Sequence, residues 1–169
     1  MGLFDRRKMQ RGDDLYDRGL ALYEKKDYAG ALPLFQEGAK LGNASAQNDL
    51  GVMHERGFGV DANDRLAFQW YLAAAEQGHP TSKFKVAIAY TNGKCVMQDL
   101  EKAFKWFSEA AAEGNANSMS NLANFYLYGY YVGKDLKKAE EWALRAVEAG
   151  GAKAKELLDE IRSEMTRLR

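Results

Sequence analysis

The residues able to do chemistry in this 169-residue chain are few and far apart. Ser82 stands three residues before Lys85. That S-x-x-K spacing can turn a hydroxyl into an acylating nucleophile, with the amine beside it. The companion elements of that chemistry, KTG and SDN, are missing from the sequence. His54 and His79 share no metal-ligand spacing with each other or with Cys95. Cys95 is the one cysteine, so no internal disulfide can close, and nothing near it in sequence lowers its pKa toward a redox thiol. Asn43-Ala44-Ser45 spells a glycosylation sequon, which has no meaning in a cytoplasmic chain. Phosphate loops, dinucleotide fingerprints and paired-carboxylate patterns are absent. No catalytic residue, cofactor or metal site is expected.

Composition narrows the field further. Twenty-four basic side chains balance 24 acidic ones, so no net field draws the chain to nucleic acid or to an anionic membrane. The stretch Met1–Gly12 carries charges but no apolar core, which excludes a secretory signal. Arg6 stands where a myristoylation signal needs Ser or Thr. The longest apolar run, Trp70–Ala75, is far below the length that spans a bilayer. A cytoplasmic location follows as the expectation.

The elements that must position any functional residue are set by a repeat. Trp70, Trp106 and Trp142 lie 36 residues apart, and the same step relates Gly78, Gly114 and Gly150. Ala67, Ala103 and Ala139 keep it, as do Gly57, Gly93 and Gly129. A period of this size marks stacked supersecondary units, each too small to bury its own apolar face. Residues 1–12 are polar and basic without helical periodicity and predict a flexible tail. Residues 13–42 form a first hairpin, whose second helix carries the stripe Ala31, Leu34, Phe35 and Gly38. Further hairpins span 44–78, 81–114 and 117–150, with stripes such as Ala67/Trp70/Tyr71/Ala74. The stripes predict Trp70 and Trp106 buried between hairpins. Asp99 and Asp135 precede helical patterns and read as N-caps, and the recurrent glycines end helices in the left-handed conformation. His54 occupies the slot of Tyr90 and Tyr126, which predicts a packed core histidine. Residues 152–168 break the period, and their apolar stripe (Ala154, Leu157, Leu158, Ile161, Met165, Leu168) predicts a capping helix.

These motifs resemble two related families. Gly19 precedes Ala31 by twelve residues, a spacing similar to the tetratricopeptide repeat. In the next hairpins Gly51, Ala87 and Ala123 precede Ala67, Ala103 and Ala139 by sixteen. The four extra residues enter the turns GFGVDAND, GKCVMQD and GYYVGKD. With Lys-Ala, Trp-Tyr, Ala-Ala and Gly following, residues 44–150 resemble the Sel-one-like repeat (SLR) family. The pattern departs at Cys95 and Tyr131, where the second turn glycine (Gly59) is lost, and at Ala143, where an aromatic is usual. The resemblance implies an all-α, right-handed solenoid of antiparallel hairpins, about nine helices in all, working as a protein–protein interaction module. Some secreted SLR proteins are described as penicillin-binding, but those are cysteine-rich, unlike this chain.

Binding positions of the tetratricopeptide family, carried over by register, fall on the concave face formed by first helices. They are Tyr16 and Tyr23; Asn48, Glu55 and Arg56; Phe84, Thr91 and Asn92; Ser120, Asn124 and Tyr128. The asparagines suit a peptide backbone, because an amide donates and accepts at once. Phe125 and Tyr126 are expected in the core, while Tyr130 and Tyr131 fall in a turn with no packing role. The basic pair that clamps a terminal carboxylate in chaperone-binding relatives is missing. The sequence therefore predicts a non-catalytic adaptor for a protein or peptide, monomeric with at most weak self-association, inserting in no membrane and binding no nucleic acid. A self-assembling structural module is the alternative, and a serine hydrolase or penicillin binder is a distant third.

Overall fold

The computed structural model describes residues 3–168, and among them nine helices and no strand are found, with helix accounting for 76%. In chain order they are α1 (Leu3–Glu24), α2 (Tyr28–Lys40), α3 (Ala44–Arg56), α4 (Asp64–Glu76), α5 (Pro80–Asn92), α6 (Leu100–Ala112), α7 (Ala116–Tyr128), α8 (Leu136–Glu148) and α9 (Ala154–Arg167). Contacts divide the chain into two compact units, residues 1–85 and 86–169, the division falling within α5.

The same small set of local bonds builds each hairpin. Asp27, Asn63, Asp99 and Asp135 stand 36 residues apart, and each accepts from the backbone N–H three residues on, at 2.9–3.0 Å. Each thereby satisfies one orphan donor at the start of a second helix. The expected caps Asp99 and Asp135 are thus two of a set of four. The SLR turn closes in the same way each time. The N–H of Asn63, Asp99 or Asp135 donates to the carbonyl of His54, Tyr90 or Tyr126, at 2.8–3.0 Å. The first hairpin has the shorter turn that its twelve-residue spacing predicts, and there Asp27 N–H reaches Leu22 instead.

In the unit of residues 1–85, Ala31, Phe35, Ala39, Ala46, Leu50 and Met53 form one buried cluster. Its close packing depends on two glycines. A Cβ on Gly19 would lie 2.7 Å from the Phe35 ring, and one on Gly51 would lie 2.6 Å from the Tyr71 ring. In the unit of residues 86–169, Ala123, Leu127, Ala139, Ala143, Leu158 and Ile161 form the corresponding core. Phe107 is fully buried, as are Ala87 and Ala103.

Four expectations need correction. Residues 1–12 are not a tail without structure: α1 begins at Leu3, although Asp5–Arg11 are all exposed and burial begins, among the side chains described, at Gly12. Met1 and Gly2 lie outside the described residues. The tryptophans are half-buried rather than buried, because the next residue along holds the centre of the stripe: Tyr71, Phe107 and Ala143. Trp142 instead lies under the Arg145 guanidinium, 4.1 Å from its ring centre. His54 is also only half-buried, and its enclosed Nδ1 has no hydrogen-bond partner. Finally, α9 keeps the period. Ala154, Leu158 and Ile161 follow Ser118, Leu122 and Phe125 by 36 residues, and all six are buried. In its packing register α9 is therefore the first helix of a further repeat.

Candidate functional site

On the first helices of residues 1–85, most expected groove side chains are already bonded to one another. Tyr16 packs on Phe35 at 5.8 Å between ring centres and bonds the Asp49 carboxylate. Burial, then that carboxylate, push its phenol up to about 12. Asn48 donates to Asp49 at 2.9 Å and accepts from the Ser82 hydroxyl at 2.9 Å. Burial also raises the Asp49 carboxyl, against the bonds from Asn48 and Tyr16 that favour its charge. Glu55 is gripped by Lys85 at 2.7 and 3.0 Å and by the Tyr71 hydroxyl at 2.9 Å. Burial acts to raise its pKa, but these bonds outweigh it and the carboxyl titrates below its ordinary range. Tyr23 sits in an aromatic cluster with Tyr28, Phe35 and Phe58, and exposed Arg56 lies over Phe58. Phe84 is half-buried.

The same geometry bears on Ser82 as a nucleophile. Its side chain has no exposure and its proton goes to Asn48, while Lys85 is committed to Glu55. A nucleophile needs access as well as a neighbouring base; His79 Nδ1 lies 3.0 Å from Ser82 Oγ, but the hydroxyl has no exposure. It shares its register with Ala46 and Ser118, likewise fully buried, as a small residue at a helix contact.

Residues 86–169 hold the uncommitted groups. Asn92 is exposed and Asn124 half-exposed, and neither side chain has a hydrogen-bond partner among the described residues. Thr91 and Ser120 turn back onto carbonyls of their own helices, Ala87 and Ala116. Phe125 is buried as expected, whereas Tyr126 is half-buried beneath the Lys138 ammonium. Tyr128, Tyr130 and Tyr131 are 51%, 48% and 54% exposed. Tyr128 is pinned at its tip, its hydroxyl donating to Glu160 of α9 at 2.7 Å, and that bond raises its pKa. Tyr131 has a packing role after all: its ring meets Phe104 at 5.8 Å.

One functional position escaped the reading of motifs. His79 caps α5, with Nδ1 accepting the Ser82 N–H at 3.3 Å. Its equivalents 36 residues away on either side, Asn43 and Asn115, cap α3 and α7 at 2.7 and 2.8 Å. The period alone could have revealed it. Among the described residues no group of three or more His, Cys, Asp or Glu is placed to hold a metal ion.

Paired helices with Asx caps, glycine-relieved packing and a polar first-helix face define a class of helical repeat module. The chain belongs to the Sel1 repeat family, whose model matches residues 10–43, 44–79, 80–115 and 116–151. The first hairpin, expected to be tetratricopeptide-like, is therefore included in the family. A Sel1 repeat protein from Oxalobacter formigenes is 29% identical with a TM-score of 0.79, over 85% of this chain and 58% of that one. A protective antigen of uropathogenic Escherichia coli strains with an SLR fold is 30% identical with a TM-score of 0.85, over 89% of this chain and 33% of that one. An F-box protein of Arabidopsis thaliana is 28% identical over 82 residues, 48% of this chain and 23% of that protein. The chain thus spans less than two thirds of each. Sel1 repeats are typically protein–protein interaction modules and generally non-catalytic scaffolds. Among the described residues no helix is long and apolar enough to cross a membrane.

Proposed function

We propose that this chain is a non-catalytic adaptor whose first-helix face binds an extended peptide or a partner helix. The observation that carries the reading is the split between committed and open polar groups. Tyr16, Asn48 and Glu55 spend their hydrogen bonds internally, whereas Asn92 and Asn124 have theirs to offer. An amide with both donor and acceptor vacant matches a peptide unit in either direction. Tyr128, one turn beyond Asn124, adds an exposed apolar ring with little rotamer entropy to lose. These three residues, rather than the full set read from the sequence, are the proposed contact. A charge-balanced composition and a single cysteine support work in a reducing compartment such as the cytoplasm.

A peptide array screened with the full chain, followed by titration of a captured peptide against variants, tests this. Asn124→Ala and Tyr128→Phe should leave the melting temperature within a few degrees, while Asn124→Ala weakens binding by about 1–2 kcal/mol. Capture unaffected by Asn92→Ala, Asn124→Ala and Tyr128→Ala alike would remove the binding site from this face. Self-assembly by adding a second helix against α9 has an obstacle. The small residue that receives such a helix, Gly51, Ala87 or Ala123, becomes exposed Asp159 in α9.

A further inference from the structure

A line of side-chain hydrogen bonds in residues 1–85 joins α5, α3 and α1. At its α5 end His79 Nδ1 accepts the Ser82 N–H at 3.3 Å and lies 3.0 Å from Ser82 Oγ. Ser82 Oγ donates to Asn48 Oδ1 at 2.9 Å, and Asn48 Nδ2 donates to Asp49 Oδ1 at 2.9 Å. Asp49 in turn is bonded by Tyr16. Because the Ser82 proton goes to Asn48, the lone pair of Nδ1 is left to serve the amide, and the ring carries its proton on Nε2.

We propose that His79 makes the capping of α5 a proton-operated switch, in which the neutral ring holds the first turn of the helix and the imidazolium lets it go. A protonated Nδ1 has no lone pair, so it cannot accept from Ser82 N–H. It becomes a donor instead, with Ser82 Oγ already 3.0 Å away. The helix start then loses its side-chain acceptor, and a positive charge beside it opposes the helix dipole. The other two first-helix caps of this kind, Asn43 and Asn115, are amides and do not titrate. Only the cap of α5 is thus written in a residue that changes charge near neutral pH.

Burial lowers the His79 pKa from its ordinary value, and Asp49 on α3 works against that shift. The neutral cap is therefore fully present above about 6.5, the unfolded value, and is lost as pH falls through the lower folded value. Asp49 has the opposite sign: its buried carboxyl is raised, so protonating it relieves the fold, in a more acidic window. Tyr16 on α1 titrates far above both. Glu76 at the end of α4 is exposed, and on α5 Lys85 is paired with Glu55. Lys83, buried on the same turn of α5, keeps an interaction of its own.

Amide NMR of the full, unliganded chain from pH 8 to 5 tests the switch, and its result is independent of whether the face binds a peptide. The Ser82 amide should shift with the His79 ring titration, at a midpoint below about 6.5, and its hydrogen-exchange protection factor should fall about tenfold. The amides of Ala46 and Ser118, capped by asparagine, should not follow. His79→Asn, which restores the residue of the equivalent positions, should abolish the response and melt about 2–4 °C above wild type at pH 5.5. Asp49→Asn should keep the response. A Ser82 amide indifferent to the His79 titration, or the same response in His79→Asn, would overturn the proposal.

Discussion

Three equivalent turn residues show how one backbone shape can be met by different side chains. Gly59, Cys95 and Tyr131 all take left-handed φ values, 69°, 63° and 60°. Glycine enters that region freely, whereas an L side chain costs about 1–2 kcal/mol there. At Gly59 space forbids a side chain as well, since a Cβ would stand 2.9 Å from Tyr28 Cβ and 3.0 Å from its carbonyl carbon. Gly59→Ala should therefore destabilise by about 2 kcal/mol or more. Cys95→Gly should change stability by less than about 1 kcal/mol, because relief of strain is offset by a freer unfolded chain. Urea midpoints of the two variants check this, and equal losses would refute it. The sequence exposed the loss of the turn glycine at both sites. It could not reveal that the backbone keeps its shape regardless, because Tyr131 recovers contact through Phe104, 27 residues away. The same distance problem hid the state of the groove asparagines. Asn48 and Asn124 are the same residue type on first helices, one turn apart in register, but the partner that occupies Asn48 is Ser82, on another helix.

At the scale of the helix, periodicity reports packing rather than helicity. Asp5–Arg11 shows no apolar stripe because its side chains are all exposed, yet it continues the backbone ladder of α1. A pattern built on burial cannot see such turns. The second-helix stripes were legible, but not their centres, since Trp and the residue after it, about 100° apart on the wheel, both fall within a stripe of that width. The small residue across the hairpin decides between them: Gly51 makes room for Tyr71 and Gly19 for Phe35. Burial then ranks the variants. Phe107→Ala, emptying a site with no exposure, should cost about 3–5 kcal/mol. Trp106→Ala, on a half-exposed side chain, should cost roughly half as much. Chemical denaturation of both variants measures the order, and a costlier Trp106→Ala would restore the tryptophan to the centre of the stripe.

At the scale of the molecule, α9 closes the core of residues 86–169. Leu158 and Ile161 lie in one buried cluster with Ala123, Leu127, Ala139 and Ala143. The position of Leu127 is taken by Glu55 and Thr91 in the earlier repeats, so an apolar residue appears where α9 covers it. Ion pairs of Arg162 with Glu140 and Lys134 with Glu164 tie the rim, at 2.7 and 3.1 Å. These exposed pairs contribute little, so most of the adhesion is apolar. Removing residues 152–169 should expose that cluster and give a protein that associates or melts in a broader transition. Sedimentation and calorimetry together report it, and an unchanged, monomeric two-state transition would mean α9 is dispensable.

The 36-residue recurrence of caps, turns and small packing residues has a consequence for how such a chain can change in length. Every bond that starts, stops or joins a helix is made within one period or to the next. A duplicated or deleted block of 36 residues recreates each of them at the new junction, wherever the cut falls between Asn43 and Gly151. Growth by whole repeats is thus nearly free of local cost, while the exposed Asp159 of α9 puts a charge where earlier repeats place the small residue that receives a second helix.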